Sequence, residues 1–162
     1  MYVLDTDLLS LLEYPEGRHA QRLQSRLDQA TEDVVTTIVT YEEQTRGWFA
    51  LMAKARSVAA QIGVYRRLRR HLENYRSIDV LDFDERAAIE YQQLRSLRLG
   101  IGTMDLKIGA IALANSAVLL TRNVSDFKRI PNLVIEDWDR LRIRCPVRPP
   151  LQHATVPQAI TK

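Results

Sequence analysis

Acids and amides stand in this chain where a parallel α/β protein exposes the ends of its strands. Asp5 follows the apolar run Tyr2-Val3-Leu4. Glu42 or Glu43 follows the β-branched run from Val34 to Val39, Asp105 opens a helix after Gly102-Thr103, and Asn123 and Asp126 follow the run from Ala117 to Thr121. In an open parallel sheet these positions share one edge, where sites gather. Carboxylates collected there with no lysine among them repel one another, and they stay ionised together only beside a cation. An all-oxygen donor set suits Mg²⁺ or Mn²⁺ rather than zinc. Such ions suit phosphodiester hydrolysis, because they lower the pKa of a bound water and stabilise the attacking and leaving oxygens. No histidine base is required.

Other chemistries lack their residues. There is no G-x-x-x-x-G-K-[ST] loop, no G-x-G-x-x-G after a strand, no H-E-x-x-H and no G-x-S-x-G. His19, His71 and His153 are scattered outside the strand ends and are read as surface residues. The only cysteine, Cys145, lies beside Pro146 with no sign of activation. It excludes internal disulfides and cysteine-rich zinc sites and agrees with a reducing cytoplasm. A receiver-type phosphoacceptor would want a lysine after a late strand, and Thr121-Arg122-Asn123 offers none. Each acid also has a local explanation. Asp5, Thr6 or Asp7 can cap the helix that follows, and Glu42 and Glu43 suit the positive end of a helix dipole.

The elements that must position these residues read as alternating strands and helices. The chain has 162 residues, 46% apolar and 27% charged, with a net charge of +3. That is the profile of one globular domain with a real core. No apolar run approaches the roughly 20 residues of a membrane helix, and the strand-like start at MYVLD is read as free of a signal peptide. Strands are expected at Tyr2–Leu4, Val34–Val39, Ile78–Leu81, Ala117–Thr121 and Leu133–Ile135. Helices are expected after Asp7, around Ala20 to Ala30, through Trp48 to Met52, along Ala55–Tyr75, after Asp84, over Leu106–Ala114 and from Glu136 to about Leu141. The helix from Leu106 is greasy nearly all round, so it is expected to be buried, with Gly109 letting it lie close to a sheet. Strands separated by helices imply a three-layer α/β/α fold with a mainly parallel central sheet. Residues 1–141 form one domain in this reading, and 142–162 form a Pro-containing tail, extended or disordered.

One segment is ambiguous. Val58, Ile62, Tyr65, Leu68, Leu72 and Tyr75 form an apolar stripe that fits core or interface alike. The other face carries Arg66, Arg67, Arg69, Arg70 and Arg76, either a solvated face or a footprint for a phosphate backbone.

LDTD at 4–7, TIVTYEEQTRG at 37–47, GTMDLKIGAIALA at 102–114, LLTRNVSDF at 119–127 and LVIEDW at 133–138 resemble the ordered motifs of PIN domains. More narrowly, they resemble VapC-type toxins of bacterial toxin–antitoxin pairs. The resemblance spans about residues 1–141. It implies a Mg²⁺- or Mn²⁺-dependent endoribonuclease acting on RNA, a homodimer, and a cognate antitoxin that lays a helix or extended segment along the toxin. Asp5 matches the first family acid. Glu43 matches the second better than Glu42, because that glutamate stands four residues before the glycine, here Gly47. Asp105 matches the third. The fourth position, often Asp, is Asn123, which weakens one metal contact or shifts it to Asp126. Asp7 stands where the family often has Asn, and Thr6 and Thr121 match small polar positions near the acids. Arg46, Lys107 and Arg122 lie beside the acids in sequence and are candidate contacts to RNA phosphates. A rival reading keeps the fold and makes the chain a binding module that does not cut, with Asn123 as the feature favouring it.

Overall fold

The computed structural model describes residues 1–139. The expected tail at 142–162, Cys145, His153, the domain boundary at 141 and the end of the expected closing helix lie outside the described residues.

Among the described residues, five short strands form one parallel sheet: β1 (Tyr2–Leu4), β2 (Val34–Thr37), β3 (Val80–Leu81), β4 (Val118–Leu120) and β5 (Val134–Glu136). Their order is β3-β2-β1-β4-β5. Seven helices connect them among the described residues: α1 (Thr6–Leu12), α2 (Arg18–Leu27), α3 (Ile38–Lys54), α4 (Val58–Tyr75), α5 (Glu85–Ser96), α6 (Thr103–Ala114) and α7 (Val124–Phe127). Alternate residues of each strand face opposite sides, as the pleat requires. Val3, Val35 and Leu119 join one core cluster with residues of α5, α6 and α7. Leu4 and Leu120 join the other with Leu8, Leu9, Leu23 and Trp138. A sheet with a separate core on each face is the three-layer α/β/α fold.

From β1 the chain builds outward through β2 to β3, then returns to the other side of β1 with β4 and β5. The order therefore reverses between β1 and β4, whose register pairs Leu4 with Leu120. Crevices open at the carboxyl ends of strands at such a reversal.

Four local expectations need correction. The β-branched run at Val34–Val39 is strand only to Thr37. The Thr37 hydroxyl accepts from the Thr40 amide at 3.0 Å, so a threonine N-cap overrides the strand preference of Ile38 and Val39. Glu42 and Glu43 then lie beyond the first turn, which holds no acid, and the dipole explanation for them falls. Glu136 closes β5, and no helix forms over Asp137–Asp139, where the Asp139 amide instead donates to the Asp137 carboxylate at 2.9 Å. The α4 stripe, which the sequence leaves open between core and interface, is largely uncovered: Val58, Ile62, Tyr65 and Leu72 are exposed, and the buried residues of this helix are Val64 and His71. Gly109 does make a close approach, but to Ile130 and Leu133 beyond α7. A β-carbon there would stand 2.5 Å from Ile130 Cδ1 and 3.7 Å from Leu133 Cδ2.

Candidate active site

Three elements bring the acids to the crevice. Asp5 ends β1 and caps α1; its Oδ1 accepts from the Thr6 amide at 2.7 Å and its Oδ2 from the Thr121 hydroxyl at 2.7 Å. Asp5 is thus both a cap and a buried member of the crevice, at 4% exposed. Glu43 arrives from the second turn of α3, where its Oε2 accepts from the Thr6 hydroxyl at 2.5 Å. Its neighbour Glu42 turns away to Arg46 at 2.6 Å. Asp105 lies in the first turn of α6.

Asn123 joins the two remaining members. Its Nδ2 donates to Asp105 Oδ2 at 3.3 Å and to Asp126 Oδ2 at 3.2 Å, while its Oδ1 accepts from the Ser125 hydroxyl at 3.2 Å. The Asn123 amide donates to the Thr121 hydroxyl oxygen at 2.9 Å. Thr121 therefore ties Asp5 to the Asn123 turn.

The electrostatics follow from that crowding. Burial pushes Asp5 up from 3.8 to about 7, with Asp7 and Asp105 adding repulsion and the bonds from Thr121 and Thr6 opposing it. Burial pushes Asp105 up from 3.8 to about 6, and Glu43, Asp126 and Asp7 add to it. The acids thus act on one another as charges. Among the described residues, however, no three acids, histidines or cysteines are drawn together into a ready-made metal cluster. The donors fit a hard divalent cation in kind: all are oxygens, they are mutually repulsive, and Asp5, Glu43 and Asp105 form no ion pair among the described residues.

The cations beside the acids have other engagements. Arg46 is held by Glu42. The Lys107 ammonium stands 5.5 Å from the centre of the Phe83 ring. Arg122 pairs with the buried Asp139 at 3.4 Å, and His19 bonds the same carboxylate. Sequence reasoning missed Arg129, which pairs with Asp126 at 3.4 Å; the i,i+3 spacing was the available signal. It also misplaced His71, which is 4% exposed rather than on the surface. The His71 ring stacks on Tyr41 with centres 5.4 Å apart, and its Nε2 bonds the Thr45 hydroxyl at 3.1 Å. Burial lowers its pKa, and it packs between α3 and α4 with its Nδ1 3.9 Å from a Glu13 carboxylate oxygen.

Known proteins resemble the chain, two of the following along most of its length. Ribonuclease VapC2 of Rickettsia felis is 40% identical over 67 residues, 39% of this chain and 50% of that protein. The tRNA(fMet)-specific endonuclease VapC of Salmonella typhimurium is 29% identical over 143 residues, 85% of this chain and 97% of that protein. The solved structure of VapBC-1 from nontypeable Haemophilus influenzae superposes with a TM-score of 0.69 at 26% identity, over 86% of this chain and 98% of that one. The PIN domain model matches residues 2–133, and the chain belongs to the PIN domain family.

Proposed function

We propose that this protein is a Mg²⁺- or Mn²⁺-dependent endoribonuclease and the toxin of a toxin–antitoxin pair, working in the cytoplasm. The observation that carries this reading is that Asp5, Glu43 and Asp105, brought by three elements toward the reversal between β1 and β4, sense one another's charge and have no ion-pair partner among the described residues. The names of the relatives, a ribonuclease and a tRNA-specific endonuclease, point to the same substrate class.

Asp5, Glu43 and Asp105 would hold the ion, and Asn123 and Asp126 would complete the site. When bound, the ion would supply positive charge at the scissile phosphate and a water of lowered pKa. The Thr121 and Thr6 hydroxyls donate to Asp5 and Glu43, which orients these carboxylates as donors to an ion. Asn123 keeps Asp105 and Asp126 in register through one amide group. Arg46 and Lys107 are candidate phosphate contacts beside the acids; Arg122, engaged with Asp139, would need to leave that pair to serve. Two further partners belong to this reading. One is a cognate antitoxin, suited to the uncovered apolar stripe of α4, and the other is a second copy of the chain.

The test is cleavage of a mixed RNA pool by purified protein with Mg²⁺, with Mn²⁺ and with EDTA, beside Asp105→Asn. Cleavage that needs both the metal and Asp105 is expected. Equal cleavage by wild type and Asp105→Asn would overturn the assignment of the site. Asn123 favours one other reading, an RNA- or partner-binding module that does not cut, because an amide donor stands between two carboxylates. That reading gains if folded wild-type protein binds RNA without cutting and Asn123→Asp restores cleavage.

A further inference from the structure

A groove of about 480 Å³ runs between α3, the Phe83 loop and α6. Its walls include the rings of Tyr41, Phe49 and Phe83. Tyr41 is braced from behind by the stacked His71, and Phe83 by the edge of Tyr91 with ring centres 5.8 Å apart. Phe49 is 60% exposed, a large ring on open display. The charged residues of the lining are Glu42, Arg46 and Lys107. The first two neutralise each other at 2.6 Å. Lys107 has no carboxylate partner among the described residues and rests over Phe83, so the groove keeps a net positive charge. Glu42 and Lys107 are close chain neighbours of Glu43 and Asp105, so the groove lies near the acids along the chain, on the side to which Glu42 turns.

We propose that this groove is a nucleobase subsite. It takes one unpaired base of an RNA strand, stacked on the open Phe49 ring, while Lys107 meets a phosphate of the same strand as it runs toward the acids. The proposal rests on the ribonuclease reading of those acids. Aromatic faces accept any base by stacking, and a nearby cation follows the backbone; together these are the chemistry of single-strand recognition. A base inside a duplex has its faces covered and cannot enter. An apolar protein side chain would fill the rings but leave the lysine unmatched, whereas a nucleotide matches both.

The full chain is tested in EDTA by fluorescence anisotropy with three probes: a single-stranded oligoribonucleotide, the same strand annealed to its complement, and a series with one abasic position moved along it. The single strand should bind more tightly than the duplex, and one abasic position should weaken binding about tenfold. Phe49→Ser and Lys107→Gln should each weaken single-strand binding by about five- to tenfold. In Phe49→Ser the abasic penalty should vanish, with the melting curve unchanged because Phe49 is exposed. Equal binding of every abasic probe would overturn the subsite. So would wild-type binding by Phe49→Ser, or conversion of a dimer to a monomer by that variant with RNA binding unchanged, which would give the groove to a second copy. Base-dependent binding without cleavage on adding Mn²⁺ would remove the ribonuclease reading and keep the subsite. Metal-dependent cleavage with unaltered Phe49→Ser binding would do the reverse.

Discussion

Helices α6 and α4 look equally apolar in part and end in opposite places. In α6, seven of twelve residues are buried, and the run from Ile108 to Ala112 is buried without a break. In α4, half again as long, only Val64 and His71 are buried, and four residues of the apolar stripe face outward. Helical periodicity reports that an apolar face exists; it does not report whether this chain covers it. Helix α6 is packed by its own domain and delivers Asp105 with a fixed axis. Helix α4 presents surface that a partner would have to cover.

The largest effect that bears on this contrast is chemical. Asp105→Asn at the start of α6, and Asp5→Asn beside it, should lower RNA cleavage by at least about a hundredfold, some 3 kcal/mol of barrier. Single Arg→Gln changes on α4 should not approach that. Equal losses from both helices would erase the distinction.

The second effect is on stability against pH. Asp5 and Asp105 have folded pKa values of about 7 and about 6, above the ordinary 3.8. The folded state therefore binds more protons than the unfolded state between about pH 4 and 7. The stability from these groups is fully present below pH 4 and is lost as pH rises through 6 to 7. For the nearly buried Asp5, the gap corresponds to at most about 4 kcal/mol. Melting in EDTA should fall from pH 5 to pH 8, Asp5→Asn should flatten the fall, and Mg²⁺ should oppose it at pH 8. A melting temperature that rises over this range in wild type and in Asp5→Asn alike would refute the burial argument.

The glycines inside the two helices give a matched pair of smaller effects. Gly109→Ala in α6 gains helix propensity but drives a methyl against Ile130, which is 3% exposed and cannot retreat freely. A net loss of about 1 kcal/mol is expected by chemical denaturation. Gly63→Ala in α4 meets nothing within 4 Å and should stabilise by about 0.5–1 kcal/mol. Two changes of the same sign would break the comparison. Smallest of all, Val58→Ser and Ile62→Ser should each move the stability of the isolated chain by less than about 0.5 kcal/mol, while weakening any complex that uses α4.

Strand and helix order was legible because buried parallel strands are short continuous apolar runs bounded by polar residues, and Tyr2–Leu4 and Val118–Leu120 are clean examples. Asp5 and Asp105 were legible because each stands at an element boundary. The end of β2 was not, because one threonine hydroxyl at Thr37 outweighed two β-branched residues after it. His71 was hidden because Tyr41, Thr45 and Trp48, which meet it from α3, are distant in sequence, and its local neighbour Tyr75 marks a helix face without showing that it is covered. The choice between Glu42 and Glu43 follows from helical phase, which depends on where α3 begins, and that in turn depends on the same threonine cap.

The bond from Thr121 to Asp5 joins residues 116 positions apart, and β1 reaches β4 across almost the whole described chain. Everything between must be synthesised before that contact can close. A nascent chain that has not yet released β4 carries Asp5 and Glu43 but neither Asp105's bridging partner Asn123 nor the hydroxyl that orients Asp5. At roughly 5–20 residues per second, the growing polypeptide spends several seconds without a complete cutting edge. A protein proposed to attack RNA thus completes its acid crevice only after β4 and the Asn123 turn have emerged, by the order of its strands alone.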